Sequence, residues 1–475
     1  MAPVKHRLVT IGDSLTQGFM SGAIHRPDIA FPSMVARALG VADSFVTPDF
    51  HGAGGLPVNL ERVLRTLSDR FGSRINPFEL PFAARMAQEL LEETEDYWER
   101  GRGSLSIPGA ALPHNLAIWG YELGDASSIT PRLCDGLVAS ATDSLLPSVP
   151  EHAMYRTARR VLNCAGLADA MDLTQIGAAR RLASLGGIEN LFVFLGANNC
   201  LGTVASLSIH RSEEADLTRL RPRRGANLYR PEHFAKLFER FATDVQSVGA
   251  ERIFIATIPQ VTIPPVSRGV PADSRDANGY YDFYTRPWIW DDSFDAGKHP
   301  CLTRRDAREI DDTISVYNET IRKIAELRGW IVVDTAALLA SFAFRRAGGN
   351  PNGVFPEGLR AALLKRRETA HLVNGQQIQL DTRFVSSDRG RLAKGGLFSL
   401  DGIHPTTIGY ALIADLLLRE MAAVGVAVDR GLDWDAIVAA DALVNKPPAL
   451  LESLRDALGL LDTCGLLSLV MQEFV

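Results

Sequence analysis

Cysteine is scarce in this sequence: five of 475 residues, Cys134, Cys164, Cys200, Cys301 and Cys464, an odd number with no C-x-x-C pair. Neither a disulfide framework nor a thiolate zinc site is expected, and the thiols read as mostly buried. Long apolar runs are missing too. A membrane-spanning helix needs about 20 apolar residues, and the most apolar stretch, 412–418, is interrupted by charge. There is no basic excess: 50 Lys and Arg face 56 Asp and Glu, a net charge of -6. That balance lacks the positive surface that tracks phosphates, so nucleic acid is not an expected partner. No H-E-x-x-H zinc motif occurs, and no serine lies in G-x-S-x-G, which disfavours a metallohydrolase and the strained elbow of an α/β-hydrolase. Gly52-Ala53-Gly54-Gly55 lacks the last glycine of a dinucleotide fingerprint and follows no good strand. The expectation is therefore an enzyme without cofactor or metal. Residues 1–7 run directly into the short segment 8–11, too brief for a signal-peptide core, so a cytoplasmic location is expected.

What is present is a chain 46% hydrophobic, enough to bury a large core. Short β-branched runs at 8–11, 115–118, 191–195, 252–258 and 330–333 alternate with helical periodicity at 31–39, 78–100, 154–162, 175–185, 231–248, 304–327 and 408–423. Alternation of this kind predicts an α/β fold whose parallel sheet is covered by crossover helices. The intervals near 45–113, 202–230, 259–300 and 341–396 exceed a minimal crossover and read as excursions from a main domain spanning 1–428. Residues 429–475 return to Leu- and Ala-rich helix, a helical C-terminal extension. Between Tyr280 and Trp290 the chain concentrates five Tyr or Trp and one Phe. Such rings either build a small core of their own or form part of the wall or lid over the Ser14 site, and we expect the wall or lid.

Four short segments carry chemistry. Leu8-Val9-Thr10-Ile11-Gly12-Asp13-Ser14-Leu15 places Ser14 just past a buried strand, at the carboxyl edge where open α/β sheets bind ligands. A serine there is either a helix N-cap or a nucleophile, and a nucleophilic hydroxyl needs a nearby base held by a third group. Asp401-Gly402-Ile403-His404 supplies both, with His404 as the base and Asp401 as the carboxylate that orients it. A rival spacing, Glu368-x-x-His371, sits in a charged stretch and reads as a solvated face. Two strand ends close on small polar turns: Asn115 to Gly120, and Leu191 to Gly196-Ala197-Asn198-Asn199. Gly120 offers a backbone N–H and Asn198 a side-chain amide, donors of the kind an oxyanion hole requires, although glycine and asparagine also serve as plain turn formers.

Gly12-Asp13-Ser14-Leu15, the Gly120 block, Gly196-Ala197-Asn198-Asn199 and Asp401-x-x-His404 resemble, in order, the four blocks of the GDSL/SGNH serine hydrolases. The resemblance covers about two dozen residues and departs from the pattern at Asn199, where the family usually has Asp. It implies a flavodoxin-like three-layer α/β/α sandwich with a mainly parallel five-stranded sheet. It also implies an esterase or lipase that uses Ser14, His404 and Asp401 as a catalytic triad, with Ser14 N–H, Gly120 N–H and Asn198 as oxyanion donors and a small-molecule or lipid-like ester as partner. An acyltransferase on the same site and a non-catalytic binding protein on the same fold are the alternatives.

Overall fold

A computed structural model describes residues 5–139, 149–218, 225–463 and 465–467 of the chain. Cys464, part of the 202–230 excursion and the end of the C-terminal extension lie outside the described residues. Four parallel strands, Val9–Gly12, Asn190–Phe194, Arg252–Ala256 and Ile331–Val333, stand side by side in chain order. The first three are almost wholly buried, which is why they read as continuous apolar runs and not as alternating ones.

The expected fifth strand, 115–118, is not a regular strand. Its backbone does lie along the other edge of Val9–Gly12, through a single parallel bridge between Thr10 and Asn115 and the bonds Thr10 N–H to His114 O, Leu116 N–H to Thr10 O and Ile118 N–H to Gly12 O. Beyond that bridge a side chain stands between the two backbones: the Gln175 amide donates to Gly12 O at 2.8 Å and to Leu116 O at 2.9 Å. Asn115 Oδ1 accepts from Ala117 N–H at 3.2 Å and from Thr10 Oγ at 2.9 Å, while its amide donates to Thr16 O at 2.9 Å.

Each parallel connection contains a helix, as a crossover between parallel strands requires. Gln175–Gly186 precedes the second strand, Pro231–Gln246 the third and Arg304–Arg328 the fourth. Their starts follow local chemistry: Thr174 caps the first, Pro231 opens the second, and Thr303 and Asp306 form a reciprocal capping box on the third. The helices Phe31–Ala38, Leu80–Glu99, Ala153–Leu162 and Thr407–Ala423 likewise fall where periodicity places them.

The excursions carry structure of their own. The interval after the third strand forms a small antiparallel sheet of Arg268–Val270, Phe283–Thr285 and Cys301–Thr303. The 341–396 interval holds two short hairpins, Val373–Asn374 with Gln377–Ile378 and Ser386–Asp388 with Arg391–Lys394. The C-terminal segment packs back onto the body. Asp429 and Arg430 donate backbone N–H groups to Ala38 O, and Ile437, Val438, Leu443, Val444, Leu450 and Leu451 are buried.

Candidate active site

Ser14 begins the four-residue helix Ser14–Gln17 directly beyond the first strand. The capping role falls to Asp13, whose side chain accepts Leu15 N–H at 3.1 Å, so the helix start does not consume the Ser14 hydroxyl as a cap. Gly12 is required by its neighbour, since a Cβ there would lie 2.7 Å from Phe194 O on the adjacent strand. The helix ends at once on Gly18, in the left-handed region with φ +95°. This abrupt strand, cap and single turn hold Ser14, 3% exposed, at the carboxyl edge of the sheet.

The far end of the sequence comes to the same edge. Asp401 and His404 are both buried, and Asp401 Oδ2 faces His404 Nδ1 at 3.1 Å. The carboxylate is fixed independently of the ring. Oδ1 accepts the N–H groups of Ile403 and His404, each at 2.8 Å, and Oδ2 accepts Gly22 N–H at 2.9 Å. Burial alone would raise the Asp401 pKa, but the His404 charge, the ring hydrogen bond and these backbone donors outweigh it and hold the group below the usual carboxylate range. The imidazole also packs, tilted by 50° and at 4.7 Å between centroids, against Phe19, whose carbonyl accepts the Tyr410 hydroxyl at 2.6 Å.

Asn198 starts the helix Asn198–Ser206 past the second strand, after Gly196 at φ +123°. Its amide donates to Tyr121 O at 2.8 Å, which ties it to the turn containing Gly120, itself at φ +75°. An Nδ2 group carries two hydrogens, so this bond orients the amide and leaves a second N–H for a ligand. The neighbouring Asn199 is wholly buried, and its Oδ1 accepts Leu123 N–H at 3.2 Å, on the same turn. Thus the residue that departs from the Asp expected there locks the Gly120 turn onto the Asn198 helix, and it is not among those lining the cleft described next.

Ser14, Asn198 and His404 line one cleft, together with Asp13. Gly120 is not among the residues lining it. Asp13 is 1% exposed, and burial pushes its carboxyl up to about 7 against the opposing bond from Leu15 N–H. Most of the other lining residues are apolar: Leu338 and Leu339 on the helix Thr335–Ser341, Phe342 after it, and Leu412 and Ile413 on Thr407–Ala423 among them.

The aromatic run Tyr280 to Trp290 supplies none of the lining residues, which corrects the expectation that it walls the site. Its rings instead pair with arginines of the insertion and of neighbouring segments: Trp290 with Arg268 and Arg455, Trp288 with Arg286, and Tyr280 with Arg308 and Arg346. Tyr280 reaches the site only at one remove. Its hydroxyl donates to buried Asp311 at 2.9 Å, Asp311 pairs with Arg346, and Arg346 Nη1 donates to Oε1 of the cleft residue Gln260 at 2.9 Å.

Sequence spacing gave no access to several groups that build this site. Gln175 donates from its amide to Gly12 O at 2.8 Å and Leu116 O at 2.9 Å, and Ser399 Oγ accepts Ser21 N–H at 2.8 Å. An amphipathic helix that begins with a polar residue offers no signal for such a bridge. The set-aside pair behaves as expected: Glu368 and His371 are exposed, and the His371 ring meets Leu392 O at 2.8 Å. Among the described residues no group of three or more His, Cys, Asp or Glu side chains could hold a metal ion, and no helix is long and apolar enough to cross a membrane. No protein-family model matches the chain, and no curated protein matches it in sequence.

Proposed function

We propose that the protein is a serine ester hydrolase of the GDSL/SGNH type, acting on carboxylic esters through an acyl-enzyme on Ser14. One observation carries this reading: a serine, an asparagine amide and a histidine that line one cleft come from three distant segments, with a buried carboxylate on the far nitrogen of the histidine. The path of the chain also favours a flavodoxin-like sheet. Counting 115–118 as the edge position gives a strand order of second, first, third, fourth, fifth in the sequence.

In this mechanism the Asp401 carboxylate keeps the His404 proton on Nδ1, so that Nε2 is the basic nitrogen. His404 takes the Ser14 hydroxyl proton as Oγ attacks the ester carbonyl. The tetrahedral oxyanion is met by the second N–H of Asn198 and by the backbone N–H of Ser14, while the turn containing Gly120, which does not line the cleft, holds the Asn198 amide through Tyr121 O. Collapse breaks the bond to the alcohol oxygen, which leaves with the proton from His404. Water then enters, gives its proton to His404 and releases the acid by the same steps in reverse.

The test joins labelling to turnover. A fluorophosphonate should modify Ser14, as read by peptide mapping, and Ser14→Ala should abolish both labelling and hydrolysis of p-nitrophenyl esters while circular dichroism stays native. Label on another residue, or a folded Ser14→Ala protein with near-normal turnover, would overturn the assignment.

A further inference from the structure

We infer that the cleft leading from Ser14 is an acyl-chain site, which makes the substrate class esters of medium- or long-chain aliphatic acids; this rests on the serine-hydrolase reading above. The polar lining residues are few: Asp13, Ser14, Asn198 and His404, with Gln260 and Thr335. The rest of the lining is apolar and includes Leu201, Leu338, Leu339, Phe342, Leu412 and Ile413. The remaining polar side chains of the lining already have partners. The Thr335 hydroxyl donates to Thr257 O, and Gln260 accepts from Arg346. Among the described residues, no charged or titratable side chain other than Asp13 and His404 lines the cleft. A sugar or a charged acyl group would lose its hydration there and find few partners in exchange, whereas an alkyl chain gains with every methylene buried.

The chemistry assigns this cleft to the acid side of the ester. After the alcohol leaves, water must approach the acyl carbonyl from the position the alcohol held, so the leaving-group side has to stay wet. The acyl portion remains bound to Ser14 through both half-reactions and is the part an apolar wall can hold throughout. Leu338 and Leu339 are only partly buried, as expected of side chains whose packing is completed by a ligand.

Two measurements on the whole chain test this. With p-nitrophenyl acetate, butyrate, octanoate and dodecanoate below their micellar concentrations, kcat/KM should rise by about fourfold per methylene until the cleft is filled, on the order of a hundredfold from butyrate to octanoate. Leu339→Trp, which puts a larger ring in the wall, should cost dodecanoate at least about tenfold more than it costs acetate. The isomers methyl nonanoate and octyl acetate have the same composition with the chain on opposite sides of the ester, and wild type should prefer methyl nonanoate. A flat chain-length profile, or preference for octyl acetate, in protein that labels at Ser14 would overturn the acyl-chain assignment and leave the serine-hydrolase reading standing. Absence of both labelling and hydrolysis would overturn the two together.

Discussion

Gly22 donates its backbone N–H at 2.9 Å to Oδ2 of Asp401, the same oxygen that faces His404 Nδ1 at 3.1 Å. The carboxylate is thus a structural joint between the chain's two ends as well as a partner for the imidazole. Asp401→Ala would leave the buried N–H groups of Gly22, Ile403 and His404 without an acceptor, at a cost of about 2–5 kcal/mol. His404→Ala removes none of those acceptors, so it should abolish turnover with a smaller loss in urea melts. Equal melting losses for the two variants would contradict the joint. The Asp401 pKa is lowered in the folded state, so its contribution is full above the unfolded value of about 4 and is lost as pH falls through the folded value. Acid melts of wild type should show this loss below about pH 4, and Asp401→Ala should lack it.

This joint marks the boundary of what the sequence could reveal. The places of Ser14, Asn198 and His404 in one cleft, and of Asp401 beside His404, were legible because each lies in a short segment whose local order sets its position, a strand end or a three-residue spacing, whereas Gly120, singled out by the same reasoning, does not line that cleft. The crossover helices were legible from apolar spacing. Gly22 to Asp401, Ser21 to Ser399 and Tyr410 to Phe19 were not, because hydrogen bonds between residues nearly 400 positions apart leave no periodic trace. The irregularity of 115–118 was hidden for a related reason: Asn115-Leu116-Ala117-Ile118 has strand composition, but the Gln175 amide, from a helix far along the chain, donates to Leu116 O and Gly12 O. The aromatic run was misplaced because ring density signals burial without saying against what.

The oxyanion assignment makes a kinetic prediction. Asn198 is held by its bond to Tyr121 O, and under the proposed mechanism its remaining N–H strengthens its contact only as charge develops on the substrate oxygen. Asn198→Ala should lower kcat by roughly a hundred- to a thousand-fold with little change in KM. A rise in KM alone would instead make Asn198 a group that binds the ground state.

Asp13 should make stability depend on pH near neutrality. Its folded pKa is raised to about 7, so between roughly pH 4 and pH 7 the folded protein holds a proton that the unfolded chain has released. Stability from this group therefore falls as pH rises through that window. Asp13→Asn keeps an oxygen to cap Leu15 N–H and removes the buried charge, so it should be more stable than wild type at pH 8 by ~1–3 kcal/mol and lose that advantage towards pH 4. Urea unfolding of both proteins at several pH values checks the sign, and a constant difference across the range would contradict the buried, raised carboxyl.

The aromatic insertion should matter for stability and not for selectivity. Tyr280→Phe deletes the hydroxyl that donates to Asp311 at 2.9 Å and should cost ~1–3 kcal/mol, because that carboxylate is 1% exposed. Trp288→Ala should lower the melting temperature and leave the ratio of octanoyl to acetyl kcat/KM unchanged. A selective loss on octanoyl esters would return the insertion to the wall of the site.

The last prediction concerns Asp441, which ties the C-terminal segment to the histidine. The His404 turn leads directly into the helix Thr407–Ala423, capped by Thr406. Ile408 N–H in the first turn of that helix donates to Asp441 Oδ2 at 2.9 Å, and the other carboxylate oxygen accepts Val444 N–H at 3.0 Å. One buried carboxylate from the extension thus satisfies orphan donors at two helix starts. Asp441→Ala leaves both buried N–H groups unpaired and should cost ~2–4 kcal/mol, with a fall in kcat because the helix anchoring His404 loosens at its first turn. Asp441→Asn keeps one acceptor oxygen and should recover most of the kcat but only part of the stability. Burial raises the Asp441 pKa to about 6, so the stability of wild type relative to the Asn variant should decline as pH rises from about 4 through about 6. Deleting 429–475 removes the carboxylate together with the apolar cover from Ile437, Val438 and Leu443, and should be more damaging than Asp441→Ala in both melting temperature and turnover. A truncated chain that melted and turned over like wild type would show the segment to be an appendage, and the route from Asp441 through Ile408 to His404 would then have no bearing on catalysis.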